Sequence, residues 1–142
     1  MNIKGLIGVS LVGIALGYLM IFKPGTDPAE TALDQGAAMV TVALPVALTD
    51  QARNGKRGFD ANCAKCHGEN AGGQNGIAPP LIHKIYQPNH HSDVAFLLAT
   101  KNGVRAHHWR FGNMPRVPGL TDAEVGDITR YIREVQKEND IF

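Results

Sequence analysis

The sequence predicts an all-α domain of three main helices, preceded by an N-terminal transmembrane helix. Three observations point there: a charge-free run from Gly5 to Phe22, three later segments with helix caps and helical spacing, and a loop-rich remainder. Many of the 16 glycines and eight prolines lie between Gly68 and Gly119, which favours long ordered loops over a sheet. A chain of 142 residues with 44% hydrophobic and 19% charged residues has room for one modest core. Its net charge of +1 argues against nucleic acid as the main partner, because phosphate binding requires a concentrated basic surface.

The run Gly5 to Phe22 is bounded by Lys4 and Lys23 and is long enough to cross a bilayer. A cleaved signal peptide would have a shorter apolar stretch and a small-x-small cleavage site. Lys23-Pro24-Gly25-Thr26 follows instead, with no such site in range. Residues 1–22 are therefore expected to remain as an anchor. Residues 23–48 read as a linker opened by Pro24, Gly25 and Pro28, and as a free coil they would span roughly 25–30 Å. The second half, Ala37 to Leu48, is more apolar and is expected to pack along the surface of a domain covering 49–142.

Three helices are legible within that domain. Thr49 or Asp50 can cap a first one running to about Cys63. Ser92 can cap a second from Asp93 to Asn102, closed by Gly103. Thr121 with Glu124 makes a capping box for the third, which places Val125, Ile128, Tyr131, Ile132 and Val135 on one face.

Function turns on five residues: Cys63, Ala64, Lys65, Cys66 and His67 form a Cys-x-x-Cys-His run. Thiols at this spacing can each join a vinyl group of one haem, while the adjacent imidazole reaches the iron. Zinc would need a further ligand pair at finger spacing, and His83 and His90 are set too far apart for it. A thioredoxin-like pair would follow a strand, whereas the residues before Cys63 read as helix. Both cysteines are used, so the expected cofactor is one covalent haem c, with no disulfide.

Placed together with the helices, this run resembles the class I c-type cytochromes over roughly residues 49–137, which implies a cytochrome c fold around one haem. The family's Gly-x-x-x-aromatic pattern reads here as Gly55 to Phe59, with Gly126, Tyr131 and Ile132 as counterparts on the last helix. Missing side chains at Gly55 and Gly126 would permit close approach. The resemblance places His67 and Met114 as the axial ligands of the iron. Met114, in Gly112-Asn113-Met114-Pro115, is the one methionine outside the anchor and linker, and a soft thioether raises the reduction potential. The paired histidines His90, His91, His107 and His108 read first as solvated polar loop, while they and His83 remain competing ligands, or the donors of a second metal such as copper. Ala78-Pro79-Pro80-Leu81 matches the family's Gly-Pro-x-Leu stretch with alanine for glycine, so the resemblance makes the Pro79 carbonyl the acceptor for the proximal imidazole. Leu81, Phe96, Leu97 and Trp109 are candidates for the apolar haem wall, or equally for ordinary core.

The resemblance implies an electron carrier and not an enzyme, with no catalytic residue. It would shuttle single electrons on the periplasmic side of the bacterial plasma membrane, between a quinol:cytochrome c reductase and a terminal oxidase or other redox complex. Arg53, Lys56, Arg57, Lys65, Lys84 and Arg116 could supply a basic docking rim. The alternatives are a fixed haem subunit of a larger membrane oxidoreductase, a haem sensor or peroxidase if Met114 is displaceable, and a copper-handling accessory.

Overall fold

The computed structural model describes residues 34–142, all within one unit. The anchor expected at 1–22, and the first part of the linker, lie outside the described residues. No helix among the described residues is long and apolar enough to cross a membrane. Helices α1 (Asp50–Asn62), α2 (Ala64–His67), α3 (Asp93–Asn102) and α4 (Asp122–Glu138) follow in order, joined by loops and two 3₁₀ turns, Glu69–Ala71 and Lys84–Tyr86. No strand is present among the described residues, only isolated bridges.

Side chains cap α1 and α4 where the sequence places those caps. The Thr49 hydroxyl accepts from the Ala52 amide at 3.2 Å and donates to Glu134 at 2.7 Å, so the cap of α1 also ties it to α4. The capping box of α4 is complete, with Thr121 and Glu124 each satisfying the other's backbone amide. Ser92 holds the cap position of α3 without a side-chain hydrogen bond, and Gly103, at φ +73°, ends that helix.

The core forms where α1 meets α4. Phe59, Tyr131, Ile132 and Val135 are fully enclosed, and the Phe59 and Tyr131 rings stand 5.7 Å apart. A β-carbon at Gly55 would lie 1.8 Å from the Asp127 carbonyl oxygen, so the crossing needs glycine there. Gly126 does not share this role. It is exposed, and a β-carbon added to it would meet nothing within 4 Å. The close approach is made by glycine on one helix and plain backbone on the other.

Residues 34–48 form a strap on this core. The Gly36 amide donates to the Asn75 carbonyl at 2.9 Å, and the Met39 and Val40 amides share the Gly72 carbonyl at 3.2 Å. Asn139 then clasps both the amide and the carbonyl of Ala43, at 2.9 and 2.8 Å. Val40, Val42 and Leu48 pack on the core. The packed unit therefore starts well before residue 49, which shortens the linker expected at 23–48.

Candidate haem site

Helix α1 delivers the chain directly into the cysteine turn, because the Cys63 amide bonds back to the Phe59 carbonyl at 2.8 Å and α2 begins at the next residue. Gly68, at φ +76°, stops α2 after one turn, and a β-carbon there would sit 2.6 Å from the Gly73 carbonyl oxygen. The Gln74 amide donates to the carbonyls of Lys65 at 2.8 Å and Cys66 at 3.1 Å. This satisfies acceptors that so short a helix cannot pair itself.

The turn aims His67 inward. Its Nδ1 lies 2.9 Å from the Pro79 carbonyl, which can only accept, so Nδ1 carries the proton and Nε2 presents a lone pair. Burial lowers the imidazole's pKa, and the Pro79 bond opposes this in part. The alanine in Ala78-Pro79-Pro80-Leu81 does not disturb the loop, because Gln74 and Ala78 exchange backbone hydrogen bonds at 2.9 and 3.1 Å and hold Pro79 over the imidazole. As a free thiol, Cys63 is pushed up to about 11 by burial, with the charge of Cys66 adding to it.

Met114 is positioned by its backbone. It exchanges two hydrogen bonds with Val104, both 2.9 Å, which closes the loop between them. Within that loop the Asn113 side chain accepts from the Ala106 amide at 2.9 Å. Cys63, Cys66, His67, Pro79 and Met114 all line one cavity of about 540 Å³, a volume in the range of cofactor sites.

The lining fits a porphyrin. Leu81, Phe96 and Trp109 are on the wall as expected from the sequence, but Leu97 is not, and Leu98 takes a place that the sequence did not single out. The Trp109 Nε1 is buried with no hydrogen-bond partner among the described residues, leaving a donor for a polar edge of the occupant. Burial raises the pKa of Tyr86 on the same wall. The nearby Trp109 N–H offsets part of this without reaching hydrogen-bonding geometry.

The histidines divide. His83 serves locally, accepting from the Ile85 amide at 3.2 Å, and does not line the cavity. His91, His107 and His108 do line it, with His90 against them. This crowding acts on His108, which is held below the ordinary histidine range by desolvation and by the other three imidazoles.

The basic rim is thinner than the sequence suggested. Arg53 pairs with Asp50 and Lys56 with Asp60, both on their own helix. One residue that sequence reasoning missed is Arg133. Its guanidinium donates to the Tyr86 carbonyl at 2.6 Å, to Gln136 at 2.6 Å, to Asp93 at 2.8 Å and to the His91 carbonyl, while lying over the Phe96 ring at 5.0 Å. It fixes one wall of the cavity, yet in sequence it is one more charge on an amphipathic helix.

The family model described as cytochrome c matches residues 52–136. A comparison with curated proteins gives no match.

Proposed function

The chain belongs to the cytochrome c family and binds covalent haem c as an electron-carrier haem protein, and from that premise we propose that it is a monohaem shuttle for single electrons between membrane redox complexes on the periplasmic side. The observation that supports this reading is the shared cavity of His67 and Met114, with both cysteines on its wall. Bound haem supplies a one-electron ferrous/ferric couple.

In this reading Cys63 and Cys66 would hold the group through thioethers, and the Nε2 of His67 and the Sδ of Met114 would ligate its iron. Pro79 fixes the His67 ring plane through the 2.9 Å bond and strengthens the imidazole as a donor. Met114 contributes a soft sulfur that favours the ferrous state. With His67 and Met114 both committed to the iron, no site would be left there for a substrate. The mainly apolar wall would limit how far the surroundings reorganise when the charge changes. Docking partners would be a quinol:cytochrome c reductase and a terminal oxidase or other redox complex, met briefly across a small interface. Anchoring through residues 1–22 would keep the domain at the membrane face.

Near-infrared absorption of the oxidised protein tests the ligand pair. The sulfur-to-ferric-iron charge-transfer band is expected, and its absence would reject Met114 as a ligand. A pull-down from solubilised membranes tests the shuttle itself. Transient capture fits a shuttle, whereas stable co-purification with one complex would make the chain a fixed subunit.

A further inference from the structure

Four imidazoles to which the haem reading gives no role come together from two loops at the cavity. His90 and His91 precede α3, and His107 and His108 lie in the loop closed by Val104 and Met114. We propose that His90, His91 and His108 form a second metal site, at the rim of the haem cavity, for a first-row divalent ion of the Zn²⁺/Cu²⁺ class.

The spacing is that of ligands. One nitrogen from each of the three histidines lies within 4.8 Å of the other two. The Nε2 atoms of His90 and His108 face each other at 3.3 Å. Two imidazole nitrogens bound to one ion at 2.0–2.1 Å and a tetrahedral angle stand about 3.3–3.4 Å apart. This pair therefore already holds the separation that a shared ion would impose.

His91 has the second feature of a metal-binding imidazole. Its Nδ1 donates to the Ile85 carbonyl at 2.6 Å, which commits the proton to that side and leaves Nε2 as the free donor atom. The ring is further set by Tyr86, 5.0 Å away, and by Arg133, which holds the His91 backbone carbonyl. His90 and His108 are exposed, so small rotations of their rings can close the remaining distance to an ion. His107, with its Nδ1 tied to the Arg105 carbonyl at 2.8 Å and its ring 4.3 Å from His108, stands next to the set.

Three neutral imidazoles with an open fourth position suit Zn²⁺ by geometry, and Cu²⁺ binds such nitrogen donors most tightly of the divalent series. No thiolate or carboxylate takes part, which disfavours Ca²⁺ and Mg²⁺, both of which need oxygen ligands.

The test uses the haem-loaded chain titrated with Zn²⁺ by calorimetry, and with Cu²⁺ by electron paramagnetic resonance at one equivalent. One ion per chain is expected, with a Cu²⁺ spectrum showing three coupled nitrogens. His90→Ala and His108→Ala should each weaken binding by about 100-fold or more, since even outer-sphere partners are worth about 10- to 100-fold. His83→Ala, outside the cluster, should leave binding unchanged. The haem Soret band of each variant checks that the fold survives. Absence of stoichiometric binding, fewer than three coupled nitrogens, or binding that persists in His108→Ala would overturn the proposal. The Met114 near-infrared band, followed in the same titration, reports on haem ligation separately.

Discussion

Gly55 of α1 rests on the backbone of Asp127 in α4, so closely that a single β-carbon would be 1.8 Å from the Asp127 carbonyl oxygen. No rotamer can relieve that contact, because both partners are backbone. Gly55→Ala must push the helices apart across the core of Phe59, Tyr131 and Ile132. A loss of about 3 kcal/mol, at the upper end of overpacking effects, is expected in thermal melts of the haem-loaded protein. Gly126→Ala, one residue from the contact but facing solvent, is expected to stabilise by roughly 0.5–1 kcal/mol through helix propensity.

Met114→Ala removes the sulfur without disturbing the backbone pairing to Val104. The reduction potential is expected to fall by on the order of 0.1–0.3 V, within the ~0.8 V that axial ligands span. The ferrous protein should also take up carbon monoxide. Potentiometry and gas difference spectra check both outcomes, and unchanged behaviour would show that Met114 is not a ligand.

Arg133 is the guanidinium that holds the Tyr86 and His91 carbonyls, and lysine cannot reach its several acceptors at once. Arg133→Lys is expected to lose roughly 1–2 kcal/mol of stability in denaturant titrations, since the part-buried His91 carbonyl loses its donor and the Tyr86 carbonyl keeps only the bond from Gln136. Asp93→Ala should cost less than about 1 kcal/mol, because the Asp93 side chain is 72% exposed. Equal effects from the two would show that the ion pair, and not the carbonyl contacts, is what matters.

Glu134 sets part of the acid response. Burial works against its charge, but hydrogen bonds from Thr49 and Arg130 outweigh this and hold its pKa below the usual carboxylate value. A depressed carboxylate stabilises the fold above its unfolded pKa of about 4.3, and that contribution is lost as pH falls through the lower folded value. Glu134→Gln should therefore be less stable than the parent at pH 7, with the difference narrowing below about pH 4. Urea midpoints at both pH values check this.

The sequence was most readable where one local rule decides. The Thr121–Glu124 box, the buried face of α4, and the end of α3 at Gly103 depend on neighbours within four residues, and each is found in place. The inward turn of His67 toward Pro79 was legible through the family pattern. Contacts between distant segments were not. Gly126 looks like the partner of Gly55, yet helix phase turns it outward by one position and leaves Asp127 at the crossing. Ala37 to Leu48 alternates like a strand, but its amides pair with Gly72 and with the Asn139 side chain, acceptors that only the folded chain supplies. Arg133 carries no sequence signal because its acceptors are backbone carbonyls of another loop.

The strap of residues 34–48 has a mechanical consequence. The Gly36 amide donates to the Asn75 carbonyl and the Ala37 carbonyl accepts from the Asn75 amide, and the next residue back, Gln74, is the one whose side chain grips the carbonyls of the cysteine turn. A pull applied at residue 34 would thus load the floor beneath Cys66 before it reached α4. A force applied at residue 34 would therefore be felt first at the seat of the cofactor, not at the far end of the fold.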